Sequence, residues 1–509
     1  MISIKVKGDY IDGKFRRPRG AERRVVSSDP GDAGWRIGAF PLYPQHVERA
    51  AQAARRSFAA WRRVPLERRA DFLRKFAAEV FNRRRELARL VAAETGKPLW
   101  EAEQEVNDVK AQVETEIREG IRAVSPFKVG EVRFGVKGLT RYRPLGPVLV
   151  LGAAISPVHL PCGHILPALL SGCPVVFKPS KLVPACGQLL AELFDAVELP
   201  PGVFNLVQGD AESGLQLALH QDLAGVFFTG CLAAGRRILE TTASQPHKLV
   251  SLQMGGVNLA VVCEDADLER AWCECLQGSF LTTGQQYTST SIIAVHKKVL
   301  ERFVEAFVEL AGRIRVGYAF DKGVFMGPLL SAAAQERFLD SQQRLASLSG
   351  RALRRAEALK TGRPGHYVGP AVWLLEEPAS PDVVRPEGIN FGPDVVLLPF
   401  GSDKEGLELA RLNSRPLAAA VFTGDEERFR RWATEIPYGL CNHNLATTDL
   451  SLRLPLNAAG QCGNHRPGGV FSQRNFCEPV ATLQATGPYR SDRLPPGLPR
   501  PEPGRDEDA

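Results

Sequence analysis

The stretch TTGQQYTST, residues 282–290, ends on hydroxyl-bearing side chains in a row, among them Tyr287, Thr288 and Ser289. A hydroxyl attacks a carbonyl when an adjacent base takes its proton. A phenol titrates near ~10, against ~8.5 for a thiol, and is far bulkier. The ten cysteines are scattered, and the only close pair is Cys273 and Cys275 in the helix-like RAWCECLQGSF. There they read as packed thiols rather than nucleophiles. No metal or redox spacing appears, so no metal site is assigned. Gly230 and Gly235 stand at a strand-to-helix turn. Such a pair either keeps the backbone open for a pyrophosphate at a helix N-terminus or simply makes a tight turn. In GNHRP, His465 and Arg466 mark a possible substrate contact. Arg466 pairs with a substrate carboxylate or satisfies loop carbonyls, and both readings stand.

These residues must be held by the elements around them. Val47, Ala50, Ala51, Ala54, Phe58 and Trp61 recur at helical spacing, as do Phe72, Phe76 and Val80. Gly96 and Pro98 in ETGKP break that pattern. Residues 126–143 alternate apolar positions with turns and predict an extended hairpin. From Pro147, short apolar runs (PVLVLG, PVVFKP, FNLVQG, GVFFTG) alternate with helical stretches. That alternation predicts a parallel sheet wrapped by helices, a dinucleotide-binding type of architecture. KLVSLQMGG and NLAVVCE lead into a second α/β region reaching about Asn464. The end of the chain, 487–509, is rich in Pro and charge and predicts disorder.

At 509 residues the chain is long enough for several domains. Hydrophobic content of 44% and charged content of 24% are those of an ordinary globular protein. No apolar run reaches the ~18 residues of a membrane helix, and MISIKVKGDY does not read as a secretory signal. A cytoplasmic, membrane-free protein is expected, in keeping with the unpaired cysteines. The net charge of +7 lies mostly in arginines of helix-like stretches such as RRADFLRKF. Solvated helix faces explain it, and no nucleic-acid partner is expected.

Five segments in order, ETGKP, PVVFKPSKLVP, LPPGVFNLVQG, FFTG with Gly235, and LQMGGVN followed by TTGQQ, resemble the aldehyde dehydrogenase superfamily. FGP at 391–393 belongs to the same set, and HLPCGHILPALLSG and GNHRP are similar to its succinylglutamate-semialdehyde dehydrogenase branch. The resemblance implies an α/β fold with a Rossmann-type nucleotide-binding domain (1–125 and 144–253), a catalytic-type α/β domain (254–464) and a small β oligomerisation element (126–143 and 474–486). It further implies a homo-oligomer, or a hetero-oligomer with an active paralogue.

The family oxidises aldehydes through a cysteine thiolate, an asparagine oxyanion donor and a glutamate base. By the resemblance these positions hold Tyr287, Ile155 and Gln253. Isoleucine has no donor, and an amide cannot take a proton. The covalent route is then gone, and the expectation is a catalytically impaired protein with a structural, regulatory or nucleotide-binding role. The alternative is an active NAD(P)-dependent oxidoreductase of an acidic semialdehyde that uses non-standard residues. On the cofactor side Lys178 and Ser180 match the family, Cys231 replaces a serine near the pyrophosphate, and Phe391 is kept while Ile389 replaces a glutamate. Lys181 stands where the branch usually has glutamate. A lysine attracts a 2′-phosphate, so NADP is expected over NAD if either binds.

Overall fold

The computed structural model describes residues 2–486 and 495–499, apart from 19, 22, 349, 376–379 and 387–391. Phe391, Ile389 and most of the 487–509 tail lie outside the described residues.

Five runs dominated by apolar residues, Val148–Leu151, Val175–Lys178, Phe204–Leu206, Gly225–Gly230 and Leu249–Met254, form the parallel part of a seven-stranded sheet. Their side chains are mostly buried whichever way they point, because helices cover both faces. The chain steps outward from 148–151 to 175–178 to 204–206, then returns to pair 225–230 on the other side of 148–151. That reversal opens a crevice at the carboxyl ends of 148–151 and 225–230, where open α/β sheets take their ligands. Asp9–Ile11 and Lys14–Arg16 close the far edge antiparallel.

A second seven-stranded sheet runs in the order Arg351–Arg354, Ala371–Leu374, Asp394–Phe400, Thr290–His296, Asn258–Val262, Ala418–Phe422 and Leu440–His443. It is parallel except where 351–354 meets 371–374. Its central strand, 290–296, continues directly from the hydroxyl-rich loop, so the loop sits at the strand's entry.

Four helices precede the parallel strands of the first sheet: Gln45–Trp61, Leu66–Asn82, Arg84–Thr95 and Leu99–Arg118. Gly96 ends the third at φ 76°, the left-handed C-cap geometry. A Cβ there would stand 2.5 Å from Pro328 Cγ, so the position is glycine's for two reasons. Pro98 then starts the fourth helix, which forms one wall of the site. Phe127–Arg133, Val136–Pro144 and Cys477–Ala485 make a three-stranded sheet, and every residue of 127–133 is exposed. No helix among the described residues is long and apolar enough to cross a membrane.

Candidate active site

The loop that opens the second sheet's central strand is held under backbone strain. Thr282, Thr283 and Gly284 take φ values of 55°, 56° and 65° in succession. Left-handed backbone costs a non-glycine residue roughly 1–2 kcal/mol, and such strain persists where surrounding structure imposes it. Here Thr282 Oγ1 donates to Glu101 Oε1, and Thr283 Oγ1 donates to the Gly327 carbonyl at 3.1 Å. A Cβ on Gly284 would stand 2.1 Å from the Gly392 carbonyl oxygen. Farther along, Asn258 Nδ2 donates to the carbonyls of Tyr287 at 3.0 Å and Ser289 at 2.8 Å, while its Oδ1 accepts from Ala418 N at 2.9 Å. Thr447 Oγ1 donates to the Thr288 carbonyl at 2.7 Å.

Over this loop lies a cleft of about 620 Å³. Tyr287, Thr288 and Ile155 line it together. The Tyr287 ring also packs against Leu417, Ala458 and Cys462. Burial pushes its phenol up to about 12, so it stays protonated at neutral pH and keeps a hydrogen to donate. Burial likewise pushes the Cys462 thiol up to about 12, which keeps it inert. Cys162 is buried as well, with its thiol pushed up further still by burial and by Glu105.

Gln253 is placed differently. It lies in the strand Leu249–Met254 opposite Thr229 and bridges to Gly463 on its other side. A Cβ on Gly468 would stand 2.4 Å from Gln253 Nε2, so the amide lies against that glycine, outside the cleft lining. Asn464 runs along the same strand, accepting from Leu252 N at 3.0 Å and donating to Val250 O at 2.7 Å. The GNHRP segment thereby covers a sheet edge. His465 and Arg466 are exposed and do not line the cleft.

One wall of the cleft is the helix Leu99–Arg118. Glu101, Glu105, Asp108 and Gln112 share one face at helical spacing and all line the cleft. Lys97 Nζ meets Glu105 Oε2 at 2.8 Å and Glu101 Oε1 at 3.9 Å. Burial pulls the Lys97 ammonium down, but Glu105 and Glu101 outweigh it and raise it overall. Glu105 Oε1 accepts from the backbone N–H groups of Val158 at 3.0 Å and His159 at 3.2 Å, at the start of the helix His159–Ser171. Burial raises the carboxyls of Glu101 and Asp108, and lowers the His159 imidazole against the pull of Glu105 and Asp108.

Sequence reasoning missed this wall and missed Asn258. The available signal was the polar spacing 101, 105, 108 and 112, interleaved with the apolar Ala102, Val106, Val109 and Val113, which are buried along with Glu101, Glu105 and Gln112. A helix with both stripes indoors has a polar interior to serve.

The residues that the sequence assigns to a nucleotide, Phe391 apart, lie at or just beyond strand ends of the first sheet. Gly230 ends its strand, and Cys231, exposed, precedes the helix Leu232–Thr242 without capping it by a side chain. The first-turn N–H groups of that helix are therefore available to an anion. A Cβ on Gly235 would stand 2.2 Å from Met254 Sδ, which fixes the helix close against the sheet. Lys178 ends the strand Val175–Lys178, which is separated from 225–230 by 148–151, and donates to the carbonyls of Pro179 at 2.8 Å and Gly209 at 3.0 Å. Burial lowers its ammonium to about 8. Ser180 Oγ accepts from Leu182 N at 3.3 Å, and Lys181 is exposed beside it. An uncapped helix N-terminus, a close glycine turn and a lysine two strands along the same sheet fit a dinucleotide.

The family model for the aldehyde dehydrogenase family matches residues 21–481. An N-succinylglutamate 5-semialdehyde dehydrogenase of Paraburkholderia xenovorans is 35% identical over 494 residues, covering 96% of this chain and 99% of that relative. N-succinylglutamate 5-semialdehyde dehydrogenase 1 of Caulobacter vibrioides is 36% identical over 481 residues, covering 93% and 99%. Among solved structures, PnpE in complex with nicotinamide adenine dinucleotide matches with a TM-score of 0.90 at 28% identity, covering 96% of this chain and 99% of that one. Lactaldehyde dehydrogenase from Escherichia coli matches with a TM-score of 0.88 at 26% identity, covering 94% and 99%.

These likenesses bear out the α/β reading and the NAD(P)-binding fold. They overturn the expectation of lost activity. Relatives named as dehydrogenases match this chain from end to end at a third identity, with a cleft and a nucleotide crevice in place. The physical reason is that removing a thiolate closes one covalent route and leaves the pocket and the nucleotide crevice standing.

Proposed function

The chain belongs to the aldehyde dehydrogenase family, and from that premise we propose that it is an NAD(P)-dependent oxidoreductase of an aldehyde, working without a cysteine thiolate. The observation that carries this reading is the cleft itself, whose lining puts Tyr287, Thr288 and Ile155 against a carboxylate-bearing helix. In this reading Tyr287, Ile155 and Gln253 occupy the positions of the family's nucleophile, oxyanion donor and base. The names of the relatives offer an acidic semialdehyde as the first substrate to test.

Bound at the crevice, NAD(P) supplies a hydride acceptor. Lys178, Ser180 and the turn at Gly230, Cys231 and Gly235 would hold it. The protonated Tyr287 phenol donates to the carbonyl oxygen as charge develops there, the task of an oxyanion donor. Glu101, whose carboxyl is raised by burial, is the wall residue suited to take the proton of the water that adds to that carbonyl, leaving a hydrate whose C–H hydride the oxidised cofactor would accept to give the acid. Ile155 keeps that side of the cleft apolar. Exposed Lys181 favours NADP through its 2′-phosphate. The exposed strand 127–133, with Phe127 and Val132 facing solvent, supports assembly with another copy of the chain.

The test is direct. Purified protein is incubated with NAD or NADP and a panel of aldehydes that includes N-succinylglutamate 5-semialdehyde, and absorbance of the reduced cofactor is followed. Cofactor reduction is expected, and its absence with every aldehyde would refute the proposal.

A further inference from the structure

The cleft and the nucleotide crevice approach each other at Tyr287, and its ring stands between them. On one side Tyr287 lines the cleft with Ile155 and Thr288. On the other side the ring packs against Leu417, Ala458 and Cys462. Those contacts lead to the crevice. The Cys462 thiol donates to the Gly255 carbonyl at 3.9 Å, and a Cβ on Gly256 would stand 2.8 Å from that sulfur and 2.7 Å from Leu417 Cβ. Gly255 N in turn donates to the Gly230 carbonyl at 3.2 Å, at the turn before Cys231. Among the described residues, Lys178, Gly230, Cys231 and Gly255 do not line the cleft. The two spaces are separate, and the aromatic ring is part of the partition.

Hydride passes between carbons only when they are held about 3–3.5 Å apart. An aldehyde in the cleft and a nucleotide at the crevice cannot come so close across a layer of packed side chains. The layer must open, and Tyr287 is the member free to move. Its backbone is pinned, because its carbonyl accepts from Asn258 Nδ2 and that of Thr288 accepts from Thr447 Oγ1. Its hydroxyl has no hydrogen-bond partner among the described residues, whereas the hydroxyls of Tyr43, Tyr318, Tyr367 and Tyr438 are each bonded. A fixed backbone and an untethered ring leave rotation about the side-chain bonds as the available motion.

We propose that Tyr287 is a door between the two spaces. Closed, its ring divides the substrate cleft from the nucleotide crevice; turned aside, it joins them and leaves the phenol on the cleft wall. The inference rests on the aldehyde oxidoreductase reading and adds control of access to it.

Thiol labelling tests this without turnover. Cys462 lies behind the ring and reports its opening, while Cys162, fully buried in the helix His159–Ser171, reports global unfolding. The folded full-length protein is exposed to N-ethylmaleimide, and labelling at each cysteine is followed by peptide mass spectrometry. In the wild type Cys462 is expected to react at least about tenfold faster than Cys162, because the ring turns without unfolding of the chain. Tyr287→Ala should speed Cys462 by a further tenfold or so, and Tyr287→Phe, which keeps the ring, should leave it within about twofold of the wild type. If Tyr287→Ala does not fold, Tyr287→Leu should show the acceleration several-fold. Labelling of Cys462 no faster than Cys162 in the wild type would reveal a fixed wall and overturn the proposal. So would equal rates in the wild type and a folded variant lacking the ring, or a Tyr287→Phe protein as fast as Tyr287→Ala. No nucleotide or aldehyde is present, so failure here is distinct from failure to reduce NAD(P).

Discussion

Thr282 donates its hydroxyl to Glu101 across 181 residues of sequence, tying the strained loop of one sheet to the helix that walls the cleft. The bond joins the left-handed backbone before Tyr287 to the carboxyl suited to take a proton, so the two parts of the site keep their relative position. Thr282→Ala keeps the strain and removes its tether. It should lower stability by about 1–3 kcal/mol, the cost of a lost bond to a buried carboxyl. Urea denaturation of the two proteins measures this, and coincident midpoints would contradict the tether.

Asn258 serves three backbone groups at once, one on a flanking strand and two in the loop that leads into the other. Asn258→Ala leaves the Ala418 N–H and two carbonyls without their side-chain partner. A loss of about 2–5 kcal/mol is expected, together with a fall in any measured turnover, since the loop carrying Tyr287 is released. Thermal unfolding and steady-state rates on the same preparation report both.

Tyr287 gives a sharp pair of variants. Tyr287→Phe removes the phenolic donor while keeping the ring that packs on Leu417, Ala458 and Cys462. A fall of about a hundredfold in kcat is expected, as for loss of an oxyanion donor. Tyr287→Cys introduces a thiol beside an apolar cluster, with Ile155 and Gln253 unchanged. No burst of acyl-enzyme should appear in rapid-mixing experiments, and a burst would show that the remaining groups suffice.

Lys181 is exposed, three residues beyond the strand that closes on Lys178. Lys181→Glu should weaken NADP about tenfold relative to NAD, because a carboxylate repels a 2′-phosphate and accepts from ribose hydroxyls. Calorimetric titration with each cofactor decides it, and an unchanged ratio would remove Lys181 from cofactor choice.

Glu116 offers a pH signature of the fold. Burial raises its carboxyl to about 7 against 4.5 in the unfolded chain, with Gln473 and Ser472 opposing in part. Below pH 4.5 both states hold the proton. Between 4.5 and 7 the unfolded chain releases it first, so stability falls as pH rises through that window. Relative to Glu116→Gln, the wild type should lose about 3 kcal/mol between pH 4.5 and 7. The comparison cancels His164, whose imidazole burial lowers to about 4 and which pulls the other way. Parallel pH profiles for the two proteins would contradict this assignment.

Much of the scaffold was legible. The runs at 148–151, 175–178, 204–206, 225–230 and 249–254 announced themselves because strands covered on both faces need apolar residues throughout. The glycine turn at 230–235 was legible for a related reason, since a close approach leaves no room for a Cβ. Other features depend on partners far along the chain. Nothing local marks Asp9–Ile11 as a strand that pairs with 204–206. The placement of Gln253 depends on the return of residues 463–468, which lay its amide on Gly468. The stripe at 101, 105, 108 and 112 has the look of a solvated face, and only the packing of the helix starting at His159 turns it inward. Inward polarity is a tertiary fact.

Glu105 has one oxygen on the Lys97 ammonium and the other on two amides that begin the opposing helix. A rivet of this kind spans the gap between the two helices and sets their separation from within. Molecules entering there meet a gauge of fixed bore, and must be sorted by length and by the sign they carry.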